Sequence, residues 1–224
     1  MVFIIHPITP NPREHYQGQV KDLCKLLIGK QGEEYRHEIF RLLCITGSIA
    51  IKSFSRQGHT KFRDLQQLRS FKRFYAADLT AAQILQQLDG IYANTSSDID
   101  NLRGAIGEVF AYYICRRIHP NSGIEIRVQI DSWMSGSIDA GGCSDKRGHC
   151  IQSKCGGRVG DIGSQKLDLD KIQELTSEKA EGFFITFTTR QAFDNLLASR
   201  GLDPQTYKVL DRSDLVRLEK ILVS

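Results

Sequence analysis

The sequence has no long hydrophobic run and little imbalance of charge. Its 224 residues contain no stretch of about 18 apolar residues, which excludes a typical membrane-spanning helix. The first residues have no basic leader, and their apolar run is too short for a secretory signal, so we expect a cytoplasmic protein. The formal net charge is only +4, so the overall charge does not by itself indicate a nucleic-acid partner.

Common metal and phosphate motifs are also missing. The six cysteines form no Cys-x₂-Cys pair, and three lie in apolar helical contexts, which favours reduced, buried thiols. Cys143, His149, Cys150 and Cys155 are types that bind Zn²⁺, but the adjacency of two of them makes ordinary reduced cysteines the better interpretation. The glycine-rich residues 156–160 have no Gly-Lys-Ser/Thr ending, so they are not a phosphate loop.

Hydrophobic periodicity divides the chain into two parts. In the first part it predicts a short strand over residues 2–5, helices over 14–30, 33–46 and 78–92, and a linker over 93–100. In the second part it predicts a helix over 102–118, a strand over 124–130, a hairpin over 135–157, a helix over 165–179, a strand over 183–188, a helix over 191–200, a strand over 207–210 and a final helix capped by Ser213. We therefore expect a mainly helical N-terminal region over 1–100 and an α/β core over 101–224.

Basic residues concentrate in one window of the N-terminal region, where only one acid accompanies them. They are Lys52, Arg56, Lys61, Arg63, Arg69, Lys72 and Arg73. Five aromatic residues are interleaved with them. Basic side chains neutralise phosphates, and aromatic rings stack on bases, so the window is a candidate nucleic-acid contact. A solvated helix face whose phenylalanines belong to the core explains the same pattern, and both interpretations stay open.

The predicted hairpin carries the most informative polar residues. Side chains alternate along a strand, so Gln152 and Lys154 face the same side of the second strand. Ile151 and Ser153 face the opposite side. An antiparallel partner strand would bring Asp139 close to Gln152 and Lys154. A carboxylate, an amide oxygen and an ammonium group at one sheet edge form a site for a divalent metal and a phosphate.

A glutamate on the predicted helix over 102–118 is a further candidate. Gly104, Glu108, Ala111 and Cys115 form a stripe of small residues around one acid, beside the apolar stripe of the same helix. Small residues let another backbone approach closely, which would place the Glu108 carboxylate against the sheet. The alternative is a surface glutamate favoured in the first turns by the helix dipole.

This pattern of an acid, a gap, and then Gln152-x-Lys154 resembles the PD-(D/E)xK nuclease superfamily, and its D…QxK variant is most similar to the Mrr-like restriction endonucleases. The likeness covers roughly residues 101–224, because the order of helix, hairpin, helix, strand, helix, strand and helix also fits. The resemblance implies a restriction-endonuclease-like core, a mixed central sheet flanked by helices, preceded here by the mainly helical N-terminal region.

The resemblance also implies roles for individual residues. Asp139 would be the principal ligand of Mg²⁺ (or Mn²⁺), with the Gln152 amide oxygen and the Ser153 backbone carbonyl beside it. Glu108 would add a ligand directly or through water. Lys154 would stabilise negative charge on the scissile phosphate. The activity implied is that of a metal-dependent endonuclease acting on DNA, with RNA not excluded.

Several roles fit that activity. The protein would act in host defence or DNA repair. Restriction is the commonest role that the resemblance implies, and Holliday junction resolution is a sister role on the same fold. A non-catalytic nucleic-acid-binding or assembly protein that keeps the fold is the alternative from another class. The N-terminal region would hold the substrate or mediate dimerisation, and concerted cutting of both strands would need a homodimer. Arg158, on the glycine-rich connection, would touch phosphate.

Overall fold

The computed structural model describes residues 3–8, 14–47, 79–94, 99–144, 147–155 and 160–224. The seven basic residues predicted to contact nucleic acid between Lys52 and Arg73 lie outside these ranges, as does Arg158. Their predicted roles therefore stay predictions.

A mixed, seven-stranded sheet forms the centre of the described part of the chain. The strands are β1 (Phe3–Pro7), β2 (Asn121–Ile130), β3 (Trp133–Met134), β4 (Ile138–Cys143), β5 (Gly148–Ser153), β6 (Ala180–Ile185) and β7 (Val209–Leu210). Their order is β1-β2-β4-β5-β6-β7, and the short β3 pairs with β2 off this path. The pairs from β1 to β5 are antiparallel, whereas β5, β6 and β7 are parallel.

Helices cover the sheet. They are α1 (Glu14–Ile28), α2 (Arg36–Gly47), α3 (Leu79–Asn94), α4 (Ile99–Ile118), α5 (Ile162–Leu175), α6 (Arg190–Ala198), α7 (Arg212–Leu215) and α8 (Leu218–Val223), with 3₁₀ turns at Lys30–Tyr35 and Pro204–Thr206. No helix in the described ranges is long and apolar enough to cross a membrane. The predicted fold class, a mixed sheet flanked by helices with a helical N-terminal region, is confirmed.

The two faces of the sheet bury separate hydrophobic clusters. One cluster joins α1, α2, α3, α4, α7 and α8 to the sheet and includes Ile151 of β5. The other lies under α5 and α6 and includes Cys150. Successive residues of β5 thus enter opposite clusters, as the period of two along a strand requires. This strand is buried along its whole length, which is expected for a central strand with helices on both faces.

A buried arginine connects the N-terminal helices to the end of the chain. Arg36 is 2% exposed and donates to the carbonyls of Leu27 and Ile28, at the C-terminus of α1, at 2.7 and 3.3 Å. It also donates to the carbonyl of Val216, just after α7, at 2.8 Å. The guanidinium satisfies carbonyls that a helix end leaves without a partner. The cluster on this face contains residues from both sides of residue 100, and the predicted domain boundary there stays a prediction.

The final helix differs from its prediction. It is split into α7 and α8, and Ser213 lies inside α7 rather than at its cap. Asp211 is the N-cap: its side chain accepts from the backbone N–H groups of Ser213 and Asp214, and the Asp214 carboxylate accepts from the Asp211 N–H. A carboxylate two residues earlier thus satisfies the N–H groups of the first turn, which makes the serine hydroxyl unnecessary there.

Helix ends were the other weak point of the sequence prediction. The helix predicted over 33–46 begins at Arg36, because Lys30–Tyr35 forms a 3₁₀ turn that continues from α1. The linker predicted over 93–100 is helical at both ends, since α3 reaches Asn94 and α4 begins at Ile99, and its middle lies outside the described ranges. Apolar periodicity identifies the middle of a helix better than its ends, where capping decides.

Candidate active site

The predicted hairpin is present, and its register places the candidate residues at its open end. β4 and β5 pair antiparallel, with Ala140 opposite Ile151 and Cys143 opposite Gly148. Continuing this register by one residue sets Asp139 opposite Gln152. Residues directly opposite in an antiparallel pair have their side chains close together.

Asp139 is fixed by the strand that it faces. Its Oδ2 atom accepts a hydrogen bond from the backbone N–H of Ser153 at 2.7 Å. The side chain therefore takes the place of a backbone acceptor at the point where the β4–β5 ladder ends. A short hydrogen bond from a backbone N–H to a carboxylate is charge-assisted, so it holds the carboxylate firmly at the end of β5.

Gln152 is completely buried, and its amide is only half satisfied. The side chain is 0% exposed. Its Nε2 atom donates to the carbonyl of Ser137, in the segment that leads into β4, at 2.7 Å. Its Oε1 atom is buried and has no hydrogen-bond partner. A buried acceptor without a partner costs free energy, on the order of 1–3 kcal/mol, unless a ligand or ion satisfies it.

The two residues after Gln152 are also buried. Ser153 is 8% exposed, and its hydroxyl donates to the carbonyl of Gly104 on α4 at 3.3 Å. Ser153 thus faces α4, on the side of Ile151, as predicted. Lys154 is 8% exposed, and its backbone N–H donates to the carbonyl of Ile185 at the end of β6 at 2.8 Å. A lysine is rarely this buried without an interaction that holds its charge.

Glu108 lies against the same end of the sheet. It is 5% exposed, and a Cβ atom added at Gly104 would lie 3.7 Å from its Oε1 atom. A Cβ atom added at Gly107 would lie 2.5 Å from Ser153 Oγ and 2.6 Å from Cys155 Sγ. Glycine at position 107 is therefore what permits α4 to lie directly on the end of β5. Glu108 is a buried residue of the α4–β5 contact rather than a surface residue, and its role as a ligand stays a prediction.

The donor set fits a hard cation better than a soft one. Within the described ranges, no three His, Cys, Asp or Glu side chains are grouped so that they could hold a metal ion. A divalent cation at this end of β5 would therefore rely on oxygen atoms of other kinds beside the Asp139 carboxylate. The unpartnered Oε1 atom of Gln152 is such an oxygen. Mg²⁺ uses one or two carboxylates with neutral oxygens and waters, which matches this composition.

The alternative zinc group is not formed. Burial raises the pKa of the Cys150 and Cys155 thiols, which disfavours the thiolates that zinc needs. His149 is directed elsewhere, since its Nδ1 atom lies 2.7 Å from His119 Nε2 in a buried hydrogen bond. All six cysteines are free, and five of them are buried.

Sequence reasoning missed the partner of Gln152 and the contacts of the segment that carries that partner. The Ser137 partner is a backbone carbonyl, and a backbone atom leaves no signature in the residue type. Asp168 on α5, which accepts from the N–H of Gly136 at 3.1 Å, is 32 residues away in sequence. The buried pair of His119 and His149 was also missed, because no sequence spacing relates the end of α4 to the start of β5.

Comparison with known proteins gives similarity of fold only. No protein-family model matches the chain, and no curated protein matches it. Protein VC1899 from Vibrio cholerae is similar with a TM-score of 0.45 and 15% identity, over 98% of this chain and 57% of that one. Can2 from Sulfobacillus thermosulfidooxidans, solved in complex with cyclic tetra-adenylate (cA4), is similar with a TM-score of 0.40 and 14% identity, over 92% of this chain and 54% of that one.

The chain spans a little over half the length of each of these two proteins. At this identity and these TM-scores, neither likeness bears on the chemistry of the site. That chemistry follows from the chain's own residues: a half-buried carboxylate held by a backbone N–H, a buried amide oxygen without a partner, and a buried lysine at one end of β5.

Proposed function

We propose that this chain is a Mg²⁺-dependent endonuclease that hydrolyses phosphodiester bonds in DNA. The observation that carries the proposal is the buried, unpartnered Oε1 atom of Gln152, a residue that lies opposite Asp139 when the register of the hairpin is continued by one residue. An oxygen kept without a partner next to a carboxylate is what a cation-binding site needs. An ordinary core position would instead be filled by an apolar side chain, because the unsatisfied acceptor destabilises the fold.

Asp139, Gln152, the backbone carbonyl of Ser153 and Glu108 would hold the cation, either Mg²⁺ or Mn²⁺. When bound, the ion supplies charge stabilisation at the phosphoryl oxygens and a more acidic water. The protein contributes the fixed positions of these oxygens, because the Ser153 N–H holds the Asp139 carboxylate at 2.7 Å. Lys154 contributes a positive charge for the phosphate in a site that is largely closed to water.

The substrate assignment rests on charge and on the residue types of the site. A lysine and a hard cation together recognise a phosphodiester, which DNA and RNA share. We place DNA first, in restriction or another defence role or in repair, because the D…QxK arrangement resembles nucleases of that kind. The basic window from Lys52 to Arg73 would add sequence-independent contacts to phosphates, and a homodimer would allow both strands to be cut.

The test is a cleavage assay with supercoiled DNA, linear DNA and RNA, with Mg²⁺ or Mn²⁺ and with a chelator. The key variant is Asp139→Asn, because an asparagine oxygen can still accept from the Ser153 N–H while the carboxylate charge is lost. We expect metal-dependent cutting of DNA by the wild type and a loss of at least about 100-fold in the variant, as for other groups that stabilise a developing charge.

Asp131→Asn is the matched control, because Asp131 is an exposed carboxylate in the turn between β2 and β3. This variant should cut at the wild-type rate. Binding of DNA without cutting would support a non-catalytic nucleic-acid-binding protein instead. Cutting that persists in Asp139→Asn, or in the chelator, would overturn the proposal.

A further inference from the structure

Three consecutive residues between β3 and β4 are each hydrogen-bonded to a different element. Ser135 is bonded to β2 in both directions: its N–H donates to the carbonyl of Val128, and its hydroxyl accepts from the N–H of Val128, both at 2.9 Å. The carbonyl of Ser137 accepts from Gln152 on β5. Between them, the N–H of Gly136 donates to Asp168 on α5. A loop tied at every residue has little freedom, so the direction of the Ser137 carbonyl is set by its neighbours.

The contact between Gly136 and Asp168 depends on the absence of a side chain at position 136. The Asp168 Oδ2 atom lies 3.1 Å from the Gly136 nitrogen. A Cβ atom added at Gly136 would lie 2.7 Å from the same Oδ2 atom, too close for any real contact. A side chain at position 136 would therefore require the Asp168 carboxylate to move from its present position beside the Gly136 nitrogen. Glycine and aspartate form a matched pair here, although they are far apart in sequence.

The Ser137 carbonyl decides which end of the Gln152 amide is presented to the candidate site. A carbonyl only accepts hydrogen bonds, so the amide nitrogen of Gln152 must face it, and the amide oxygen must point the other way. That outward oxygen is the unpartnered Oε1 atom. If the loop moved, the amide could rotate, and its N–H groups would then oppose a cation.

We propose that Asp168 is a positioning residue for the candidate cation site: by holding Gly136, it fixes the Ser137 carbonyl and thereby turns the Oε1 atom of Gln152 toward the cation. The inference deepens the proposed function and rests on it for the identity of the ligand. The orientation of the Gln152 amide itself is independent of any cation and is measured separately. Outer groups that orient a metal ligand are typically worth 10–100-fold in metal affinity.

The first measurement uses metal-free protein. The side-chain NH₂ signals of Gln152 are recorded by NMR and assigned by their absence in Gln152→Ala. A proton held against the Ser137 carbonyl exchanges slowly with water. We expect this exchange to become about tenfold faster in Asp168→Ala, since one hydrogen bond that holds the loop is lost. Asp168→Asn keeps an oxygen that accepts from Gly136 and should restore slow exchange.

The second measurement is Mn²⁺ binding, followed by the EPR signal of the free ion without any nucleic acid. We expect Asp168→Ala to raise the dissociation constant for Mn²⁺ roughly tenfold. The constant for Asp168→Asn should stay within about twofold of the wild-type value. Asp170→Ala removes a carboxylate from the same helix, where its partner is Lys166, and is the matched control. It should bind Mn²⁺ like the wild type. Gly136→Ala, which displaces Asp168 from the other side, should reproduce the effect of Asp168→Ala.

The outcomes separate the inference from the proposed function. Normal Mn²⁺ binding and slow amide exchange in both Asp168→Ala and Gly136→Ala would overturn the positioning role and leave the nuclease proposal intact. Equal weakening in Asp170→Ala would also overturn it, because the effect would then be one of charge. A wild type that binds no Mn²⁺ would overturn both. The inference would be established by fast amide exchange and weak Mn²⁺ binding in both Asp168→Ala and Gly136→Ala, together with wild-type behaviour of Asp168→Asn.

Discussion

Each end of strand β5 buries a polar side chain in a hydrogen-bonded pair, and one atom of each pair has no partner; the two ends differ in what surrounds that atom. Near the hairpin turn, His149 is hydrogen-bonded to His119, and the Nδ1 atom of His119 has no partner. At the open end, Gln152 is bonded to Ser137, and its Oε1 atom has no partner. The same strand therefore offers two buried polar pairs.

The histidine end is closed by packing. A Cβ atom added at Gly142 would lie 2.8 Å from His119 Cδ2, so no room for a side chain remains on that side of the ring. Burial, the neighbouring His119 and the charge of Arg147 lower the pKa of His149 to about 4, and burial also lowers the pKa of His119. Both rings are thus neutral at pH 7 and tied to each other. The amide end has a carboxylate on the opposing strand and a lysine two residues on. An unpartnered buried atom indicates a ligand site only where groups of the right chemistry meet it.

The largest difference between the two ends should appear in catalysis. Lys154→Ala should lower the cleavage rate about 100- to 1000-fold, because one charge that stabilises the phosphoryl oxygens is removed. His149→Gln, at the other end of the same strand, should cut DNA within a few-fold of the wild-type rate. Single-turnover cleavage at saturating Mg²⁺ measures both. Near-wild-type cutting by Lys154→Ala would remove this lysine from the mechanism.

The second difference should appear in the pH dependence of stability. The pKa of His149 is about 4 in the folded protein against an ordinary 6.5. Between these two pH values the unfolded chain therefore binds a proton at His149 and the folded chain does not. The stability associated with this neutral ring is complete above pH 6.5 and is lost as the pH falls toward 4. The full shift corresponds to a fall of about 3 kcal/mol in the free energy of unfolding.

Denaturant titrations at a series of pH values between 7 and 4 measure this fall. His149→Gln keeps a group that can hydrogen-bond to His119 but does not titrate, so its curve should be flatter over this window. His37→Gln removes an exposed imidazole from α2 and should leave the wild-type curve unchanged. Parallel curves for the wild type and His149→Gln would show that the histidine pair is not buried in its neutral form.

The smallest effect concerns packing at the closed end. Gly142→Ala should destabilise the fold by about 1–3 kcal/mol, because the new methyl group overlaps the His119 ring and β4 must shift. Gly163→Ala on α5 is the control: nothing lies within 4 Å of its added Cβ atom, and alanine is the better helix former. Thermal unfolding measures both, and Mn²⁺ affinity should change in neither. A stable Gly142→Ala variant would mean that the histidine end has room for a ligand.

Patterns of apolar residues predicted the main elements well. The helix predicted over 102–118 is α4, and the strand predicted over 124–130 is the second part of β2. Both predictions hold because the apolar residues of each segment recur with the period of only one kind of element. The hairpin was predicted as well, together with the side of β5 on which Ser153 lies. Helix ends were less certain. Asp211 and Ser213 are both plausible N-caps, and the pattern of apolar residues is the same whichever of them caps the helix.

For the candidate site, the sequence by itself determined the residue types and their placement along the hairpin: Asp139 on one strand, Gln152 on the other and Lys154 just after it. Only the tertiary structure decided that the Gln152 oxygen is the atom left without a partner, because the groups that orient its amide are a backbone carbonyl and an aspartate on a distant helix. Periodicity is a property of neighbouring residues and can be read along the chain. A hydrogen bond between distant segments exists only once the sheet and helices have brought them together.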